Sequence, residues 1–207
     1  MSVTTQPLEP PHGCTWRRFL EAHAAAHGGW TALTDLLIHR ARGLVELPED
    51  PQSIERGLRR LAGRGNAPGG QYGRWALRFL GVPTPLMQTA RWMGQYHSRF
   101  SDLPASMCEA QLWLWDRPPI CESRAAPWIH LGLASVAMRR GREDGARARL
   151  ARALPLVDED EQARVEALLL AARLASAGPL GDVLPDPLRE LSRAELLARV
   201  EALGRRK

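Results

Sequence analysis

The sequence has 207 residues, a formal net charge of +5 and 44% hydrophobic residues, enough to bury one core or two smaller ones. No apolar run reaches the roughly 18 residues that a membrane span needs, and the polar N-terminal residues 1–13 lack the apolar segment of a secretory signal. We therefore expect a cytosolic protein without a membrane partner. Cys14, Cys108 and Cys121 are too widely spaced to predict a disulfide framework or a set of metal ligands.

Apolar residues in the first half recur at helical spacing and predict four helices. These helices cover residues 16–26, 31–43, 51–62 and 71–80. Thr31 is the expected N-cap of the second helix. Asp50 is expected to cap the third helix, with Pro51 at the first helical position, where its missing N–H costs nothing. Glycines at or near the ends of these segments separate the helices.

The second half is predicted to contain helices of similar length, separated by short proline, glycine or acidic breaks. They cover residues 86–99, 104–116, 128–140, 143–154 and 159–177, and a last helix at 192–203 begins with a capping box of Ser192 and Glu195. Strand patterns are almost absent, so the predicted fold class is all-α. We expect a disordered leader at 1–13, a helical DNA-binding-like domain at 14–85, a helical repeat domain at 86–180 and a capping or dimerisation helix at 181–207.

Positive charge is concentrated in the third and fourth predicted helices. Residues 51–80 contain six arginines and one acidic residue, Glu55, so their local balance of +5 equals that of the whole chain. Arginines can neutralise phosphates, and polar groups near the front of a recognition helix can contact base edges. The candidate DNA-binding residues are Gln52, Ser53, Arg56, Arg59, Arg60, Arg64, Arg74 and Arg78. Solvated helix surface is one alternative interpretation, and binding of RNA or another anion is a second.

The order of the second helix, a connection and the third helix resembles a helix-turn-helix unit. Residues 30–83 are similar to a divergent helix-turn-helix repressor domain, and residues 71–83 (QYGRWALRFLGVP) are similar to its closing helix. The resemblance implies a transcription regulator that binds double-stranded DNA, commonly as a homodimer that reads paired half-sites. The connection at 43–50 exceeds the usual turn of about three or four residues, which fits either an insertion or a different three-helix fold.

Residues 128–132 (WIHLG) resemble the opening of a tetratricopeptide repeat, and residues 141–146 resemble the turn between its two helices. Ala153 and Pro155 extend the match. The resemblance implies stacked antiparallel helix pairs whose concave surface binds a protein or peptide. Four tryptophans are expected to lie in the core rather than at a ligand surface: Trp92, Trp113, Trp115 and Trp128.

The sequence favours neither a catalytic nor a metal site. His23 and His27 could share one helix face with His12 and Cys14 nearby, but this spacing arises readily in an alanine-rich helix and lacks the glutamate of a hydrolytic zinc motif. No phosphate-binding loop or serine-nucleophile pattern occurs, so we expect no cofactor and no enzymatic activity. The alternative function is a helical adaptor that mediates protein–protein interaction and whose basic helices contact an acidic protein.

Overall fold

A computed structural model of the chain describes residues 13–99, 102–157, 160–177 and 191–204. These residues form an all-α structure without a β-strand, which confirms the predicted fold class. The α-helices are α1 (Trp16–His27), α2 (Trp30–Ala41), α3 (Pro51–Ala62), α4 (Gly70–Trp75), α5 (Thr84–Arg99), α6 (Ala105–Trp115), α7 (Ala126–Arg139), α8 (Glu143–Ala153), α9 (Glu161–Ala177) and α10 (Arg193–Gly204). A π-helical turn follows α4, and short 3-10 turns lie at Ile120–Glu122 and Leu154–Leu156.

Two predicted helix starts are confirmed by their capping hydrogen bonds. The Asp50 carboxylate accepts hydrogen bonds from the backbone N–H groups of Gln52 and Ser53, each at 3.0 Å, and proline occupies the first position of α3. At the start of α10, the Ser192 N–H donates to the Glu195 carboxylate at 2.7 Å, and the Glu195 N–H donates to the Ser192 hydroxyl at 3.3 Å. Both ends therefore satisfy backbone donors that a helix leaves unpaired.

The predicted N-cap of α2 is wrong. The helix begins one residue earlier than expected, at Trp30, and Gly29 takes the cap position without a side-chain hydrogen bond. Gly29 has a φ of 120°, which side-chain-bearing residues rarely adopt. Thr31 lies inside the helix, where its hydroxyl donates to the Glu55 carboxylate of α3 at 3.2 Å. The threonine thus contacts a neighbouring helix instead of starting its own.

The predicted helix at 71–80 contains two kinds of helical geometry. Its first part is α4, and its second part is the π-helical turn Ala76–Leu80. Gly81 ends the turn with a φ of 75°, and its carbonyl oxygen accepts a hydrogen bond from His23 Nε2 at 3.0 Å. A π-turn adds a residue to the helical repeat, so it redirects the side chains that follow Trp75. The hydrogen bond fixes the end of this segment against α1.

The first core draws on every helix from α1 to α7. Its buried members include Trp16, Phe19, Leu33, Leu37, Ile54, Leu58, Trp75, Met93, Leu112, Trp115, Ile120 and Ile129. The first core has members on both sides of the predicted domain boundary between residues 85 and 86, and that boundary stays a prediction.

The helix α7 is buried along nearly its whole length, with every residue of Ala126–Ala137 shielded from solvent. Ile129 and Leu133 belong to the first core, whereas Trp128 and Leu131 belong to a second core formed with α8, α9 and α10. A helix that is apolar on all sides is stable only in an interior position. Helix α7 therefore joins the two cores.

Helices α5 and α7 approach each other closely at two glycines. A Cβ atom on Gly94 would lie 2.1 Å from the Trp128 carbonyl oxygen, far inside van der Waals contact. A Cβ atom on Gly132 would lie 3.2 Å from Gly94 Cα and 3.0 Å from a methyl group of Leu112. The backbones can touch only because neither residue carries a side chain.

The apolar stripe of α10 packs within the chain. Leu196 is fully buried in the second core, and Leu197 and Val200 are partly buried against it. The Leu203 side chain lies outside the described part of the chain. Homodimerisation would therefore need a surface other than this stripe. None of the described helices is both long enough and apolar enough to cross a bilayer.

Candidate nucleic-acid interface

The basic face of α3 has the orientation that its sequence predicts. Ile54, Leu58 and Leu61 point into the first core and are at most 2% exposed. All six arginines predicted to bind DNA are exposed: Arg56, Arg59, Arg60, Arg64, Arg74 and Arg78. Helical periodicity therefore separates the apolar residues from the cationic ones.

The front of α3 holds a local network centred on the Asp50 cap. The Ser53 hydroxyl donates to Asp50 at 2.8 Å and accepts a hydrogen bond from Arg56 Nη2 at 3.0 Å. Hydrogen bonds from the Ser53 side chain and from the Gln52 and Ser53 backbone lower the pKa of Asp50, and Arg56 adds to this effect. Ser53, a predicted base contact, is thus engaged in the cap. The other predicted base contact, Gln52, is exposed.

The Arg59 guanidinium connects α3 to α2. It lies 2.8 Å from the Glu55 carboxylate, one helical turn earlier, and its Cζ lies 4.7 Å from the centre of the Trp30 ring. The same carboxylate accepts the hydroxyl hydrogen bond of Thr31. Arg59 therefore has both a charged and an aromatic partner, although 53% of its side chain stays exposed.

The remaining four arginines have no carboxylate partner among the described residues. Arg64 Nη1 donates to the Pro68 carbonyl at 3.0 Å, and the Arg78 guanidinium lies over the adjacent Phe79 ring. Arg60 and Arg74 form no hydrogen bond or ion pair with any residue that the structure describes. These four side chains retain a full positive charge at the surface.

The segment between α3 and α4 is held against α1. The Trp16 indole N–H donates to the Ala67 carbonyl at 2.9 Å. The Asn66 side-chain amide donates to two carbonyls, those of Cys14 at 2.8 Å and Pro118 at 2.6 Å. These hydrogen bonds position the start of α4, which carries Arg74, relative to α1 and to the segment before α7.

A cleft of about 650 Å³ lies beside the C-terminal part of this surface. It is lined by Pro68, Gly70, Arg74, Leu77, Arg78, Gly81, Val82, Glu122, Ser123 and Arg124. Two predicted DNA contacts, Arg74 and Arg78, thus share a concave site with residues 44–50 positions later in the chain. Sequence reasoning missed residues 122–124 because no local pattern links them to the basic helices.

Two of the candidate metal ligands near α1, His23 and Cys14, are buried. His23 is 4% exposed, and burial lowers its pKa. Burial also raises the pKa of the Cys14 thiol to about 12, which keeps it protonated. His12 lies outside the described residues. Within the described part of the chain, no group of three or more histidine, cysteine or acidic side chains is placed to hold a metal ion.

A buried polar cluster joins α6, α7 and α8. Arg149 Nη1 lies 2.5 Å from the Asp116 carboxylate, which also lies 3.6 Å from His130 Nδ1. All three side chains are at most 13% exposed, and the Arg149 guanidinium stacks over the Trp113 ring. Burial lowers the pKa of His130, although the negative charge of Asp116 opposes this shift. The cluster holds three helices together through one carboxylate.

Two of the four tryptophans predicted in the core lie at the surface. Trp115 and Trp128 are 1% exposed, but Trp92 is 56% and Trp113 is 44% exposed. The Trp92 ring stacks on Tyr96 with centroids 5.0 Å apart, so one exposed aromatic side chain shields part of the other. The prediction was wrong for Trp92 and Trp113 because helical spacing alone does not show which face is covered.

The order of the helices bears on both family resemblances. Residues 42–50 separate α2 from α3, and the consecutive helices α7 and α8 pack against each other. The chain matches no protein-family model, and no curated protein or solved structure matches it. The helix-turn-helix and tetratricopeptide resemblances therefore remain predictions from the sequence.

Proposed function

We propose that this chain is a DNA-binding regulator and that its α3–α4 surface contacts the phosphates of double-stranded DNA. The observation that carries the proposal is the local excess of exposed arginine at residues 51–80. The rest of the chain has 22 basic and 22 acidic residues, so its formal charge is balanced. A duplex presents closely spaced phosphates, which such a surface attracts by Coulomb interaction and by release of bound counterions.

The arginines differ in how readily they can meet a phosphate. Arg60, Arg64, Arg74 and Arg78 need not give up a carboxylate among the described residues. Arg56 and Arg59 must exchange Asp50 and Glu55 for phosphate, but their side chains are 70% and 53% exposed. Ion pairs at such a surface contribute about 0–1 kcal/mol, so a phosphate can replace them. Gln52 is the polar side chain best placed for a base edge.

The test is the salt dependence of binding to a mixed-sequence DNA duplex, measured by fluorescence anisotropy. The first variant is Arg60→Gln with Arg74→Gln. Its matched control is Arg193→Gln with Arg199→Gln, which removes the same charge from exposed positions of α10. If each of the first two arginines meets one phosphate, the slope of log K against log salt should become shallower by about two.

Three results would refute DNA binding through this surface. One is the absence of binding at about 50 mM salt, where the electrostatic contribution is large. Another is an equal loss of affinity in the α10 control, which would mean that net charge alone matters. The third is an unchanged salt slope in the Arg60→Gln and Arg74→Gln variant.

A second candidate function, binding of a protein or peptide by the later helices, is favoured by their exposed apolar side chains. Trp92, Met107 and Trp113 are all more than 40% exposed. Tryptophan is enriched among the residues that dominate binding energy at protein interfaces. The adaptor alternative predicts a stoichiometric protein partner that co-purifies after nuclease treatment. Trp92→Ala with Trp113→Ala should release it, whereas Leu156→Ala, also at an exposed apolar residue, should not.

A further inference from the structure

We propose that the cleft beside α4 binds a small organic anion whose oxyanion group meets Arg74 and Arg78 and whose body is apolar. Binding itself depends on the cleft alone. Its regulatory consequence rests on the proposed DNA binding, because the same two arginines belong to the DNA-binding surface.

The size and lining of the cleft suit such a ligand. Its volume of about 650 Å³ lies within the range of roughly 300–1,000 Å³ found for small-molecule sites. Pro68, Leu77 and Val82 provide apolar walls, and Arg74 and Arg78 provide positive charge. A mostly apolar lining with a few charged groups selects a compact organic molecule over a hydrated inorganic ion.

The charge of the lining selects an anion. Arg74 and Arg78 are one helical turn apart, and neither is paired with a carboxylate among the described residues. Arg124 adds a third cationic side chain to the lining, against the single carboxylate of Glu122. Guanidinium groups bind carboxylate or phosphate through paired hydrogen bonds. Because Glu122 repels negative charge, it should limit the affinity of any anion in the cleft.

Both walls are held in place before any ligand binds. On one side, the Trp16 and Asn66 hydrogen bonds anchor the segment that leads into α4. On the other side, the Ser123 hydroxyl donates to the Ile120 carbonyl at 2.7 Å and accepts from the Ala125 N–H at 3.2 Å. A site that is already ordered loses less conformational entropy on binding. The π-helical turn that carries Arg78 is a geometry often found at functional sites.

Occupancy of the cleft should oppose DNA binding. An oxyanion paired with Arg74 and Arg78 occupies two of the four arginines that lack a carboxylate partner within the described residues. DNA then loses two phosphate contacts, and the reciprocal nature of linked binding makes DNA reduce the affinity for the anion equally. Arg60 lies on α3 and is not part of the cleft, so it should affect only DNA.

The test is isothermal titration calorimetry of the full chain with phenyl phosphate, benzoate and the uncharged analogue benzamide. Phenyl phosphate or benzoate should bind, and the tighter of the two identifies the preferred oxyanion. Arg74→Gln with Arg78→Gln should weaken this binding roughly tenfold or more, since two charge-assisted contacts are lost. Arg60→Gln should leave it unchanged, and Glu122→Gln should strengthen it.

Binding of benzamide as tight as that of benzoate would overturn the inference. The inference would also be overturned if Arg60→Gln weakened anion binding as much as Arg74→Gln with Arg78→Gln does. Absence of binding by both anions would also overturn it. A second measurement, DNA anisotropy with and without phenyl phosphate, separates the two proposals. Anion binding without any DNA binding leaves the cleft assignment standing and refutes the regulator. DNA binding without anion binding leaves the regulator standing and refutes the cleft assignment.

Discussion

Substitution of Gly94 by alanine should destabilise the protein by forcing α5 and α7 apart. The new Cβ atom would lie 2.1 Å from the Trp128 carbonyl oxygen and 2.6 Å from its carbonyl carbon, so backbone rather than a flexible side chain must move. Overpacking of this kind costs about 1–3 kcal/mol and occasionally more. Alanine gains at most about 1 kcal/mol of helix propensity over glycine. Because backbone must move, the overpacking cost should lie at the upper end of this range, and the net effect should be a loss of about 2 kcal/mol.

Urea unfolding followed by circular dichroism measures this loss, and Gly145→Ala is the matched control. Gly145 lies in α8, is exposed, and a Cβ atom there would meet no atom closer than 3.8 Å. The control should equal the parent protein in stability or exceed it by up to about 1 kcal/mol. A Gly94→Ala protein at least as stable as the Gly145→Ala protein would refute the close contact between α5 and α7.

Three further predictions concern a helix cap, a titrating histidine and the buried ion pair. Asp50→Ala should lower the free energy of unfolding by about 1 kcal/mol, because α3 then loses its N-cap. The control Glu49→Ala, at the exposed residue next to it, should change this free energy little. Urea unfolding compares the two variants. Burial holds the pKa of folded His23 below its value of 6.5 in the unfolded chain, with Arg40 also opposing its charge. Its contribution to stability is therefore present above pH 6.5 and lost as the pH falls below it, by at most about 1.4 kcal/mol per pH unit. In a pH series, the free energy of unfolding of His23→Gln should decline less steeply than that of the parent protein. An identical decline in the two proteins would contradict this. Asp116→Ala should lower the free energy of unfolding by about 3–5 kcal/mol because Arg149 then lacks its carboxylate. Adding Arg149→Met should recover part of this loss. If the effects of the two substitutions simply add in a double-mutant cycle, the ion pair is refuted.

Local sequence signals predicted the described helices, each with a start within two residues of the observed one. Asp50 and Ser192 act within three residues of the backbone groups that they cap, so their roles depend little on the rest of the fold. Thr31 has the right chemistry for a cap, but its hydroxyl finds Glu55 on a neighbouring helix. Trp92 likewise fits a core pattern, yet 56% of it is exposed. Helix contacts distant in sequence decide both cases.

The candidate site likewise has features that one helix predicts and features that depend on contacts between helices. The outward direction of Arg60 follows from the inward direction of Ile54 and Leu58, which periodicity alone predicts. The partner of Arg59 in α2 and the cleft wall at Ser123 depend on tertiary packing. A pattern along one helix contains no information about either, because each contact joins residues that are far apart in the chain.

The burial of α7 on all sides determines how the molecule should exchange its amide hydrogens. This helix cannot separate from either core without exposing apolar residues to water. Examples are Ile129 in the first core and Leu131 in the second. Slowly exchanging amides in α3 and in α9 should therefore report a common global opening with a similar free energy. Helix ends and exposed turns should still exchange through smaller, local openings. Mass spectrometry of deuterium uptake should thus find the two halves of the chain losing their strongest protection together.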